Sequence, residues 1–172
     1  IPRPEHQRKT IPDDLLFPPI VEGLLYLQPS SRHREYARLA REGKRIVLLS
    51  NPVTHRDTSG CGIDNFREVR RLTRYLIAQG ARRVCFVITV GGSLDLVPER
   101  INGYRTALRD AGLPVDERLV LNHPYPPEEL LARTRQLLES DRTIDGAISG
   151  GRDAYKTILR AASETGKRVP DD

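Results

Sequence analysis

Apolar residues along this chain fall into short runs bounded by glycine and proline, separated by stretches in which they recur at helical spacing. Gly23-Leu24-Leu25-Tyr26-Leu27 is a first apolar run and predicts a strand. Pro29-Ser30-Ser31 breaks it and offers an N-cap to a helix from Arg32 to Glu42, which Gly43 closes. Arg45 to Ser50 predicts the next strand, ended by Asn51-Pro52, and the polar, turn-rich segment from there to Gly62 is the natural crossing between two lobes. Residues 1–19 carry Pro2, Pro4, Pro12, Pro18 and Pro19 among mixed charges, a composition that predicts a linker or an extended arm.

The second half repeats one pattern. Phe66, Val69, Leu72, Leu76 and Ile77 recur at helical spacing, Gly80 follows as a stop, and Arg83 to Val90 predicts a buried strand. A helix opened by Pro98 places Ile101, Tyr104 and Leu108 on one face, and Arg118 to Leu121 follows as a short strand. Pro126-Pro127-Glu128-Glu129 starts another helix, Asp145 to Ser149 is a further strand, and Asp153 to Thr165 predicts a last helix. Helices alternating with short apolar strands predict an α/β fold, with parallel sheets covered by helices on both faces. In such sheets ligands bind beyond the carboxyl ends of the strands, which here are Ser50-Asn51, Gly91-Gly92-Ser93, His123-Pro124-Tyr125 and Ser149-Gly150-Gly151-Arg152.

Composition narrows the class. The 172 residues are 30% charged and 38% hydrophobic, enough to build a core without disulfides or a structural metal. Cys61 and Cys85 are the two cysteines, and Cys85 lies within an apolar run, as expected of a reducing, cytoplasmic compartment. No stretch approaches the length of a membrane span, and the Pro- and charge-rich start lacks a signal peptide's apolar region. The net charge of +5 speaks to association with anions rather than to a reaction.

Candidate chemistry is sparse. His6, His33, His55 and His123 form no metal-ligand spacing with one another or with the cysteines, and no cofactor motif is present: neither Gly-x-Gly-x-x-Gly nor a P-loop occurs. No nucleophile elbow is found, and Cys61 has no motif-level partner, so it reads as a small loop residue. Ser149-Gly150-Gly151-Arg152 places two glycines and a guanidinium at a helix N-terminus, which suits an anion or polyol oxygen and equally suits a tight strand-to-helix turn. Arg67, Arg70, Arg71 and Arg74, with Arg82 and Arg83, form the densest basic cluster, but they are the polar complement of the apolar helix face. No helix-turn-helix pattern accompanies them.

Several motifs, in order, resemble one family. Ile63-Asp64-Asn65, the helix to Leu76-Ile77-Ala78-Gln79-Gly80-Ala81-Arg82-Arg83-Val84, Arg100-Ile101-Asn102-Gly103-Tyr104, Asp145-Gly146-Ala147-Ile148, and Gly166-Lys167-Arg168-Val169-Pro170-Asp171-Asp172 are similar to the effector-binding core of LacI/GalR transcription regulators. Ala81 stands where the family usually has His. Periplasmic sugar-binding proteins share that fold. The resemblance implies two Rossmann-like lobes of the type I periplasmic-binding-protein kind: a linker or arm over 1–19, an incomplete N-terminal lobe over 20–57 and a C-terminal lobe over 58–172. It implies a small-molecule effector held between lobes, a homodimer, no membrane association, no catalysis, and DNA contacted only through a separate helix-turn-helix domain. A solute-binding protein of an ABC importer is the alternative, and a small α/β enzyme acting on a phosphorylated substrate a third class.

Carried over by position, Arg100 is the effector-binding helix arginine, Tyr125 a strand-end aromatic suited to stacking on a sugar, and Asn51 its counterpart on the other lobe; Asp95, Arg152 and Asp153 complete the candidate set. A gapless match puts Gly151-Arg152 where most members have Asn-Asp, which implies an anionic effector such as a sugar phosphate or sugar acid. A one-residue shift instead returns Asp153 to that role. The first βαβ unit of the N-terminal lobe and the closing strands find no counterpart, so sheet edges are expected to be open or covered by partner chains.

Overall fold

A computed structural model describes residues 12–27, 33–49, 59–88, 97–122 and 126–170. The chain divides into two compact units, Ile1–Ile63 and Asp64–Asp172.

The first unit contains three parallel strands in the order β1 (Leu24–Leu27), β2 (Ile46–Leu49), β3 (Ser59–Cys61). Helix α2 (His33–Arg41) links β1 to β2, buries Ala37 and places Tyr36 and Leu39 against Ile46 and Leu48. Two expectations change here. The segment expected as an arm includes a short helix, α1 (Asp13–Leu16), and Leu16 and Phe17 are buried with Tyr36 and Leu39, so these residues belong to the unit's core. The stretch read as a lobe crossing ends in β3, whose Ser59, Gly60 and Cys61 pair with Val47, Leu48 and Leu49. Backbone hydrogen bonding alone makes that strand, because all three residues are exposed and none contributes an apolar face.

The second unit is a three-layer α/β sandwich. Its parallel sheet has the order β5 (Val120–Leu121), β4 (Val84–Val87), β6 (Gly146–Ser149). Helices α3 (Asn65–Ala78) and α4 (Val97–Asp110) cover one face, where Val84, Phe86, Ile88 and Ile148 meet Val69, Ile101, Tyr104 and Leu108. Helices α5 (Pro127–Ser140) and α6 (Arg152–Glu164) cover the other, where Cys85 and Val87 meet Leu130, Leu138, Ala154 and Ala161. All four residues of β4 are buried, as its continuous apolar run requires. Burial pushes the Cys85 thiol up to about 12, and that thiol behaves as a small core side chain.

Helices α3 and α4 approach closely at Gly103, where an added Cβ would collide with the carbonyl oxygen of Phe66. That approach sets the buried face of α3, which is Asn65, Val69 and Thr73 with Leu76 and Ile77 partly buried. Leu72, expected in the core, is 53% exposed, and Phe66 is 37% exposed. Thr73 takes the interior place because its hydroxyl donates to the Val69 carbonyl at 2.8 Å and leaves no polar atom unsatisfied. Among the described residues no helix is long and apolar enough to cross a membrane.

Candidate functional site

The strand order of the second unit fixes where a ligand can enter. The chain leaves β4 through α4 on one face and leaves β6 through α6 on the opposite face, while β4 and β6 are adjacent. Beyond the carboxyl ends of two such strands the connections part, and the crevice between them is the binding position of open α/β sheets. Here it lies beyond Val87 and Ser149. At that end of the sheet the four helices all have their N-termini, where free N–H groups and the helix dipole favour oxygen ligands and negative charge.

Arg100, in the first turn of α4, spans this crevice. Its Nε donates to Asn65 Oδ1 at 2.7 Å, and its Nη1 donates to the Gly150 carbonyl oxygen at 2.6 Å. The guanidinium thereby ties the starts of α3 and α4 to the turn after β6. Gly150 is itself fixed, its N–H donating to the Val87 carbonyl at 2.8 Å, and an added Cβ there would collide with the side chain of Ile88. Both acceptors of Arg100 are neutral. Its pKa is lowered, chiefly by burial, and the charge of Glu99 offsets only part of that cost. A half-buried cation without a paired carboxylate among the described residues is suited to receive an anionic or hydroxyl oxygen from outside the protein.

Asn65 is the partner that position-by-position reading missed. It is 5% exposed at the first residue of α3, directly after the N-cap Asp64, whose carboxylate accepts from the Arg67 N–H at 2.8 Å. The signal was present in the sequence as a polar residue in the same helical register as Val69 and Thr73.

Of the other expected site residues, Asn51, Asp95 and Tyr125 lie outside the described residues. Arg152 is the first residue of α6, with its side chain outside what is described, and Asp153 is exposed in the first turn of that helix. The turn before them is held by Ser149, whose hydroxyl donates to the Gly151 carbonyl at 2.5 Å, and no side chain caps α6. Cys61 is exposed at the end of β3, a strand rather than a loop.

With the site in view, comparison with known proteins decides the lineage. The family described as periplasmic binding proteins and sugar binding domain of LacI family matches residues 14–170. The HTH-type transcriptional regulator CelR of Thermobifida fusca is 34% identical over 159 residues, covering 88% of this chain and 45% of CelR. The chain belongs to the LacI/GalR family.

Within that family its fold is the periplasmic-binding-protein-like core. The structure of a CelR–cellobiose complex superposes with a TM-score of 0.72 at 29% identity, covering 92% of this chain and 49% of that one. A LacI-family regulatory protein from Chloroflexus aggregans matches with a TM-score of 0.75 at 23% identity over 90% of this chain and 56% of its own. The chain therefore spans about half the length of the LacI-family proteins it matches.

Proposed function

We propose that this LacI-family chain is the effector-sensing core of a bacterial transcription regulator, and that its effector is an anionic sugar derivative recognised at the β4–β6 crevice. The observation that carries this reading is Arg100, held in place by two neutral acceptors and with no paired carboxylate among the described residues, at the carboxyl end of the sheet. Its planar fork suits a carboxylate, a phosphate or a vicinal diol. Arg152 and Asp153, at the start of α6, and Asp95, Tyr125 and Asn51 are proposed to complete the contacts. Binding is reversible and without turnover. Effector occupancy shifts the population of conformations competent for DNA, which a separate module contacts in a homodimeric regulator. The regulator lineage of CelR supports this role over that of an importer's solute-binding protein.

A second reading has its own support. The CelR structure at 29% identity is a complex with cellobiose, so a neutral disaccharide is the competing effector class. The two separate in a thermal-melt panel of neutral sugars including cellobiose, sugar phosphates, sugar acids and purines, because a ligand that binds the native state alone raises the midpoint. A selective rise with phosphorylated or acidic sugars supports the anionic reading. A rise with cellobiose alone overturns it in favour of the second. Arg100→Ala is expected to abolish the rise and also to lower the unliganded midpoint, because it removes the donor that ties Asn65 to the Gly150 carbonyl.

A further inference from the structure

Nothing in the effector-binding role by itself requires an asparagine at position 65. We infer that Asn65 is the positioning residue of this site: it aims the Arg100 guanidinium across the β4–β6 crevice and, being neutral, leaves that guanidinium's charge for the ligand. The inference deepens the anionic reading proposed above and rests on it for the ligand class alone.

Arginine is long and flexible, and fixing it for recognition costs side-chain entropy unless part of its fork is already bound. Here Nε and Nη1 are both engaged, at 2.7 and 2.6 Å, which fixes the plane of the guanidinium before any ligand arrives. Asn65 is buried on α3, and the close approach of α3 to α4 at Gly103 holds its Cα at a set distance from Arg100. A carboxylate in its place would make a stronger bond to Nε and would also cancel the charge. The contrast is present elsewhere in the same unit, where Arg83 and Arg105 are held by carboxylates: Asp116 and Asp141 for the first, Glu117 for the second. Arg100 alone of these three stands at the ligand end and is held by an amide and a backbone carbonyl.

Two variants of the 172-residue chain test this, Asn65→Ala and Asn65→Asp. The first readout is the solvent exchange of the Arg100 Nε–H, followed by proton–nitrogen NMR and assigned by its loss in Arg100→Lys. Asn65→Ala is expected to accelerate that exchange at least about tenfold, because a hydrogen bond between a charged and a neutral group is lost. Asn65→Asp is expected to keep the proton protected, and an acidic residue in the first turn of α3 suits the helix dipole, so the fold is retained. The second readout is the rise in melting midpoint with inorganic phosphate at constant ionic strength. There Asn65→Asp is expected to need about tenfold more phosphate than the natural chain for the same rise, since its carboxylate competes for the charge.

Unchanged Nε–H exchange in Asn65→Ala would overturn the positioning role and reduce Asn65 to a packing residue. An undiminished phosphate response in Asn65→Asp would overturn the charge-sparing role. If exchange accelerates as expected but phosphate moves the melt of no variant, the positioning stands and the anionic effector class falls.

Discussion

At the amino-terminal edge of the second unit's sheet, Arg83 lies between two carboxylates, donating to Asp141 Oδ2 at 2.5 Å and to Asp116 Oδ2 at 2.9 Å. At the opposite edge, Arg100 has two neutral acceptors. The first arginine is one of a self-satisfied group: Asp116 also binds Arg118, Asp141 also binds Thr143, and Asp145 accepts the backbone N–H groups of Arg82 and Arg83. The pKa values of Asp116 and Asp141 agree with that. Hydrogen bonds from Arg118 and then Arg83 hold the Asp116 carboxyl well below the usual range, and those from Thr143 and then Arg83 lower Asp141. Burial instead dominates Arg100 and works against its charge. Among the described residues, carboxylates pair the arginine at one edge, and neutral acceptors hold the arginine at the other.

The strongest way to break this contrast is Gly150→Ala. The new methyl would press on the fully buried Ile88, so the turn must move and carry the Gly150 carbonyl away from Arg100. The expected loss is about 1–3 kcal/mol of stability, the usual cost of overpacking, together with loss of the effector-induced rise in melting midpoint. Calorimetry with and without effector checks both. A variant as stable and as responsive as the natural chain would show that the carbonyl anchor at the carboxyl edge is dispensable.

How much of this could be seen beforehand depends on what each signal measures. Apolar periodicity marks residues that bury oil, and it located α2 to α6, β1, β2, β4 and β6 within a few residues. It could not find β3, a Ser-Gly-Cys strand with no apolar face, nor α1, hidden among prolines. It also assigned Phe66 and Leu72 to a core that instead takes Asn65 and Thr73, because a buried polar side chain is tolerated once its bonds are made within the unit. Arg100 was legible through the motif Arg100-Ile101-Asn102-Gly103. Its partners were not, since Asn65 lies 35 residues away and Gly150 lies 50 residues away. Only the strand order brings them together, and composition treats Arg83 and Arg100 alike.

A middle-sized effect follows from the amino-terminal edge. Asp116, Asp141 and Glu117 each have a folded-state pKa below the ordinary carboxylate value, held there first by Arg118, Thr143 and Arg105 respectively. Groups depressed in this way stabilise the fold above their unfolded pKa near 4, and that stabilisation disappears as pH falls through the folded values. The melting midpoint is therefore expected to be level from neutral pH down to about pH 5 and to drop steeply below about pH 4. Asp141→Asn should lower the neutral-pH midpoint and make the acid limb shallower. An acid limb unchanged in Asp141→Asn would mean that the charge group at this edge contributes little to closing the fold.

The smallest effect belongs to the exposed basic row of α3, where pairing and exposure occur together. Arg70 donates from Nε and Nη2 to Asp110 Oδ2, at 2.9 and 2.7 Å, and joins α3 to the end of α4. The side chains are 40% and 43% exposed, so water screens the attraction and competes for the same donors. A double-mutant cycle with Arg70→Gln and Asp110→Asn is expected to return a coupling of about 0.2–1 kcal/mol, falling further as salt is added. Neither variant should alter the effector response, because both residues face away from the carboxyl ends of the strands. A coupling well above that range would mean that the α3–α4 contact, set by the close approach at Gly103, depends on charge as well as on packing. It would also make this helix pair, and through it the distance from Asn65 to Arg100, sensitive to ionic strength.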